Sequence, residues 1–173
     1  MTEQTRILIL DANVLIDYQQ SDISVLTSVD KYVARVCIPA LILEEVDGLS
    51  VTECERLGVK VVEPELSQLT RAAASRGRLS FHDHLSLIVA SDMGYTCVTN
   101  DKALRTACEA DGVNVLWGLQ IMTSLVQANG MSADEAIHIA EKIHVNNPLH
   151  IPEDLVRRFA GLLREIEANR SPS

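Results

Sequence analysis

Four acidic residues stand where chemistry on a charged substrate would need them: Asp11 in ILILDANVLID, Glu45 in IPALILEEV, Asp83 in LSFHDHLSLIVA and Asp101 in CVTNDKAL. Each adjoins strongly apolar sequence, where a charge is costly unless something compensates it. Carboxylates gathered at the rim of a sheet serve to hold a divalent cation. With carboxylates dominating, Mg²⁺ or Mn²⁺ is expected rather than zinc. Asn13, two residues after Asp11, is placed to steady that carboxylate, and Thr99 and Asn100 bring a hydroxyl and an amide to the rim beside Asp101.

Each acid also has a plainer reading. Asp11 and Asp101 can cap the helices that follow them, and capping is compatible with metal ligation. On a helix, Glu45 shares a face with Leu41, whereas Glu44 points roughly 100° away toward solvent. Asp83 falls three residues after Ser80, where an acid supports a helix N-terminus. Its neighbours His82 and His84 point in different directions from a helix, so the triplet is no three-ligand claw and the histidines read as rim residues. Asp92 and Asp111 flank glycines at helix ends and read as loop acids.

The elements that must position these groups alternate. Arg6–Leu10, Val36–Ile38, Val59–Val62, Thr96–Thr99 and Val113–Leu116 read as short apolar strands. Between them lie helical stretches at Asn13–Tyr18, Ser24–Ala34, Leu41–Leu49, Thr52–Leu57, Leu66–Arg76, Phe81–Met93 and Lys102–Asp111. Short β and α segments in alternation predict an α/β fold, a central parallel twisted sheet of four to five strands with helices on both faces. From Gly118 the pattern is helical: Leu119–Ala128, Ala133–Ile143 and Pro152–Ala168. The expected organisation is a core over 1–117, a C-terminal helical extension over 118–168 packed on the same domain, and a frayed tail over 169–173. The stripe Leu155, Phe159, Leu162, Leu163 and Ile166 is expected to pack on the core, with pairing to a partner as the other use of such a face.

Composition narrows the function classes. A chain of 173 residues is one domain's worth of core. A net charge of −9 argues against bulk attraction to nucleic acid or anionic membrane. The charge is uneven, however, and Leu66–Cys108 nets +2 against −11 for the remainder. Any one basic residue there is most simply a solvated helix side chain. As a set around Asp83 and Asp101, they could steer a polyanion. Cys37, Cys54, Cys97 and Cys108 show no paired spacing, which fits reduced thiols in a cytoplasmic protein, with Cys37 and Cys97 packed in strands. The opening MTEQTR does not read as a signal peptide, and no apolar run approaches membrane-spanning length.

With these residues placed, the chain resembles the PIN-domain family of metal-dependent ribonucleases. The resemblance runs in order through ILILDANVLID, IPALILEEV, LSFHDHLSLIVASDMGY and CVTNDKAL, over roughly Ile7 to Leu116. It implies a PIN-like fold with metal ligands at Asp11, Glu45, Asp83 and Asp101, holding one or two Mg²⁺ or Mn²⁺ ions, with Asn13, Thr99 and Asn100 in support. RNA is the implied substrate, its flanking backbone held by Arg76, Arg78, Lys102 and Arg105. The chain also resembles the toxin nucleases (VapC type) of bacterial and archaeal toxin–antitoxin pairs, which implies a cognate antitoxin. The helices after Trp117 depart from the shortest of those toxins. A homodimer is the general expectation for such a protein.

Two other classes compete. A haloacid-dehalogenase-type phosphatase also starts from a strand ending in an Asp, but it needs a second acid where this chain has Asn13, and Lys102 follows Thr99 too closely. A receiver-type signalling domain wants an acid pair after the first strand, which is missing. The remaining alternative is a catalytically silent PIN-like RNA- or protein-binding module in an RNA-processing or regulatory assembly.

Overall fold

The computed structural model describes residues 6–170. Met1–Thr5, most of the MTEQTR opening, lies outside the described residues, as do residues 171–173 of the tail expected to fray.

Five strands form one sheet: β1 (Ile7–Leu10), β2 (Arg35–Pro39), β3 (Val59–Val62), β4 (Thr96–Val98) and β5 (Val115–Leu116). They run in the order β3-β2-β1-β4-β5, and every pairing is parallel. The register sets Ile9 beside Cys37 on one side and Cys97 on the other. Side chains alternate across the sheet, so Leu8, Leu10, Val36, Ile38 and Val98 enter one core while Ile9, Cys37 and Cys97 enter the other. Burial on both faces explains why these strands read as continuous apolar runs.

The helices are α1 (Ala12–Ser21), α2 (Ser24–Tyr32), α3 (Ala40–Leu43), α4 (Val51–Arg56), α5 (Leu66–Ala74), α6 (Phe81–Met93), α7 (Lys102–Ala110), α8 (Gln120–Gln127), α9 (Ala133–Asn146) and α10 (Glu153–Ala168). α5, α6 and α7 cover the Ile9 face. α1, α2, α8, α9 and α10 cover the Leu8 face in a single larger core. The C-terminal helices are therefore wedged into the main core: Leu125 of α8, Ile139 of α9 and Leu163 of α10 are all buried with Leu15 of α1. Arg170 donates to Asn129 Oδ1 at 2.7 Å, which ties the end of the described chain to the loop before α9.

Sequence logic accounts for α6. Ser80 and Asp83 form a reciprocal capping box, and Gly94 closes the helix in the left-handed conformation at φ +68°. It fails for the segment after β2. The expected helix Leu41–Leu49 stops at Leu43, because Glu45 and Val46 donate to the carbonyls three residues back, at Ile42 and Leu43. That tight turn tucks Val46 into the core and removes Glu45 from any helical face shared with Leu41.

All four cysteines are buried free thiols. Burial pushes the Cys37 thiol up to about 12. No helix among the described residues is long and apolar enough to cross a membrane.

Candidate active site at the carboxyl end of the sheet

Strand order reverses between β1 and β4, and the loops at their carboxyl ends flank the crevice where ligands bind in parallel α/β sheets. Asp11 follows β1 directly, and Thr99, Asn100 and Asp101 follow β4.

Asp11 is the buried acid of this crevice, only 7% exposed. Its Oδ2 accepts a 2.9 Å hydrogen bond from Thr99 Oγ1, and Thr99 Oγ1 in turn accepts from the Asp101 backbone N–H at 3.0 Å. Thr99 thus couples the ends of β1 and β4 through one hydroxyl. Burial pushes the Asp11 carboxyl up to about 6, the Thr99 hydrogen bond opposes this, and the charges of Asp83 and Asp101 raise it further. Those last two causes place Asp83 and Asp101 within electrostatic reach of Asp11.

Each partner acid is committed locally. Asp83 Oδ2 accepts from the Ser80 N–H at 3.0 Å and from Ser80 Oγ at 2.8 Å. Asp101 Oδ1 caps α7 by accepting from the Leu104 N–H at 2.8 Å. Glu45 Oε1 lies 2.7 Å from His82 Nδ1, and both side chains are partly exposed. Among the described residues, no three His, Cys, Asp or Glu side chains converge as a metal cage. The donor chemistry nonetheless suits a hard divalent ion, since Asp11, Asp83 and Asp101 offer only carboxylate oxygens and already repel one another. Ser80 engages only Oδ2 of Asp83 and His82 only Oε1 of Glu45, so the second oxygen of each carboxylate has no hydrogen bond among the described residues.

The supporting residues are arranged differently from the sequence reading. Thr99, not Asn13, donates to Asp11. Asn13 is exposed and lines a polar pocket of about 240 Å³ with Asp17, Asn100, Asp101, Asn147 and His150. Asn100 reaches away from the carboxylates: its Nδ2 donates to Asp17 Oδ2 at 3.3 Å and its Oδ1 accepts from the Gly118 N–H at 2.9 Å. A Cβ at Gly118 would sit 3.0 Å from Asn100 Nδ2, so a larger residue there would press on the Asn100 amide.

Asp17 went unnoticed in the sequence. It is 5% exposed, and its Oδ1 accepts from Asn147 Nδ2 at 2.9 Å. His150 Nδ1 sits 3.0 Å from Asn147 Oδ1 and extends the network. Burial raises the Asp17 carboxyl, while both amides and the nearby His150 oppose the shift. The available signal was an acid beside Val14, Leu15 and Tyr18, all of which are buried.

The four basic residues expected to hold RNA divide into two pairs. Arg78 and Lys102 are exposed, and neither forms an ion pair among the described residues. Arg76 turns its Nη1 onto the carbonyls of Ala73, Ala74 and Ser75 and caps the end of α5. Arg105 pairs with Glu109 at 3.3 Å and stacks on the Trp117 ring, 4.2 Å from its centroid. Asp92, read as a loop acid, is bound by Arg71 and Gln68.

No protein-family model and no curated protein sequence matches the chain. Among solved structures, the chain is similar to a PilT N-terminus domain protein from the hyperthermophilic archaeon Sulfolobus solfataricus P2. That similarity covers 68% of this chain and 92% of the other, at 14% identity and a TM-score of 0.49.

Proposed function

We propose that the crevice between β1 and β4 is the active site of a PIN-like, divalent-metal-dependent endoribonuclease. The observation that carries this reading is Asp11: a carboxyl buried at the topological switch point, raised to about 6, with Asp83 and Asp101 adding to the rise. Each of these like charges raises the cost of ionising the others, a cost that a bound cation would relieve.

Bound there, Mg²⁺ or Mn²⁺ would supply water activation and relief of charge on the leaving oxygen of a phosphodiester. Asp11, Asp83 and Asp101 would hold it, with Glu45 as a fourth carboxylate. Thr99 fixes the rotamer of Asp11 and leaves Oδ1 free of that hydrogen bond. Arg78 and Lys102, exposed beside the site, would attract the flanking phosphates. The resemblance of the sequence motifs supports RNA as substrate and the further idea of a toxin held by a cognate antitoxin, while the unpaired cysteine spacing supports a cytoplasmic location. The homodimer rests on the general frequency of such dimers.

The second reading is a catalytically silent PIN-like binding module. It is favoured by the local commitments of Asp83 to Ser80 and Glu45 to His82, which leave no assembled cage among the described residues. Incubation with single-stranded and structured RNAs in Mg²⁺ or Mn²⁺, beside an EDTA control and Asp83→Asn, separates the two. Cleavage that needs metal and disappears in Asp83→Asn establishes the nuclease. Intact RNA throughout, from well-folded protein, leaves the module.

A further inference from the structure

We propose that the groove between Trp117 and α10 seats one unpaired nucleobase of the substrate strand, with Trp117 as its stacking platform. The proposal rests on the nuclease reading of the adjoining carboxylates and adds a subsite to it.

The groove encloses about 580 Å³, and its walls include Trp117, Leu119, Leu155, Phe159 and Leu162. That volume falls within the usual range for small-molecule sites. Trp117 is 39% exposed, unusual for the largest apolar side chain. It is also held firmly. Its backbone N–H donates to Gln120 Oε1 at 2.7 Å, and the Arg105 guanidinium lies over its ring. A base stacking there meets a ring whose freedom is already lost, so little further entropy is spent. Arg105 Nη1 is buried and has no hydrogen-bond partner among the described residues.

Position selects the occupant. Asn100 and His150 line both this groove and the 240 Å³ polar pocket that contains Asn13 and Asp101. The path from the carboxylates therefore runs first over amides and an imidazole, then onto apolar walls. A nucleotide has that same order, with a polar sugar-phosphate and then a flat base. Arg158 at the groove supplies positive charge, although Asp154 shares it at 2.9 Å. Stacking accepts every base, so the subsite selects unpaired strands over duplex rather than one sequence.

Trp117 is the chain's single tryptophan, so its emission reports on this groove alone. The full-length Asp83→Asn protein, which the nuclease reading holds unable to cut, is titrated in Mg²⁺ with a single-stranded oligoribonucleotide. A blunt duplex of the same sequence is the comparison. Saturable quenching by the single strand, at least several-fold weaker with duplex, is expected. Leu162→Glu, at a position 46% exposed, should keep the fold and weaken single-strand affinity tenfold or more by anisotropy of a labelled oligonucleotide. Trp117→Ala should do the same. Strand binding that leaves Trp117 emission unchanged, or that survives both substitutions, overturns the proposal. So does a dimer in gel filtration that Leu162→Glu dissociates without altering strand affinity, which would make the groove a contact between copies of this chain. The two readings separate cleanly. Quenching without cleavage under any metal condition keeps the groove and removes the nuclease. Cleavage with KM unaffected by Trp117→Ala keeps the nuclease and removes the groove.

Discussion

Replacing Asp11 with Asn should stabilise the metal-free protein, and the pH dependence of that gain is the stricter test. Burial lifts the Asp11 carboxyl from 3.8 to about 6. The folded state therefore holds this proton more tightly than the unfolded chain does. The Asp11 contribution to stability is greatest below about pH 4, falls as pH rises through the window between the two values, and levels off above about 6. The full cost of ionisation is about 3 kcal/mol, at about 1.4 kcal/mol for each tenfold change in proton affinity. Asparagine removes that cost. Its amide Oδ1 can still accept from Thr99, but its NH₂ group brings donors into a buried place, which returns about 1 kcal/mol. A net gain of about 2 kcal/mol at pH 7.5 remains, or about 4–8 °C in Tm for a domain of this size.

The assay is urea and thermal denaturation of both proteins in EDTA at intervals from pH 4 to 8. The Asp11→Asn curve should be the flatter one, and the two should cross between about pH 4 and 5, where the ionisation cost falls below the cost of the buried amide donors. Parallel curves, or an Asp11→Asn protein that is weaker at pH 7.5, would refute the argument from burial and like charge. A second arm adds Mn²⁺ at pH 7.5. An ion bound by the folded state alone raises wild-type stability by mass action, and the Asp11→Asn protein should respond far less. The EDTA arm tests the electrostatics of the empty crevice. The Mn²⁺ arm tests the metal.

Three further substitutions probe the surroundings. Thr99→Val removes the donor to Asp11 and the acceptor for the Asp101 N–H; stability at pH 7.5 should fall by about 1–3 kcal/mol, and the Asp11 transition, followed by carboxyl NMR shift, should move above pH 6. Asp17→Ala strands the amides of Asn100 and Asn147; a loss of about 2 kcal/mol in urea, with faster amide exchange around residues 146–150, is expected. Gly130→Ala would place a Cβ 2.8 Å from the Tyr32 ring; a destabilisation of about 1–3 kcal/mol should appear in the urea midpoint with little change in its slope.

Much of the fold was legible because its signals are local. Strands buried on both faces write themselves as short apolar runs, and the Ser80–Asp83 box with Gly94 marks both ends of α6. Even the third-position reading of Asp83 follows from spacing alone. What escaped depends on tertiary packing. The turn at Glu45 forms because burying Val46 outweighs one more helical turn, a choice made by the core and not by EEVDG itself. Arg105 reads as a solvated cation on an exposed helix, and only folding brings Trp117 under it. Arg76 looks free for a phosphate until the end of α5 takes it. The helices after Trp117 were readable as helices, yet nothing in their spacing says that Asn147 and His150 come back to the rim of β4.

The two buried aspartates show why burial alone does not find a site. Asp11 and Asp17 are six positions apart at the start of the chain, 7% and 5% exposed, and both have raised carboxyls. Their partners differ in kind. Asp17 meets two amide donors, one on each oxygen, and its charged neighbour is His150, which favours ionisation. Every contact lowers its cost, so Asp17 is a completed joint between α1, the β4 loop and the C-terminal helices. Asp11 is helped by the Thr99 hydroxyl and, least, by the Ala12 backbone N–H, and its charged neighbours are two further acids that oppose ionisation. Its energy is improved by something that is not protein. Asp17 should therefore respond to substitution in the same way at any metal concentration, while the effect of Asp11→Asn should change sign as Mn²⁺ is added. That reversal distinguishes a buried charge kept for architecture from one kept for chemistry.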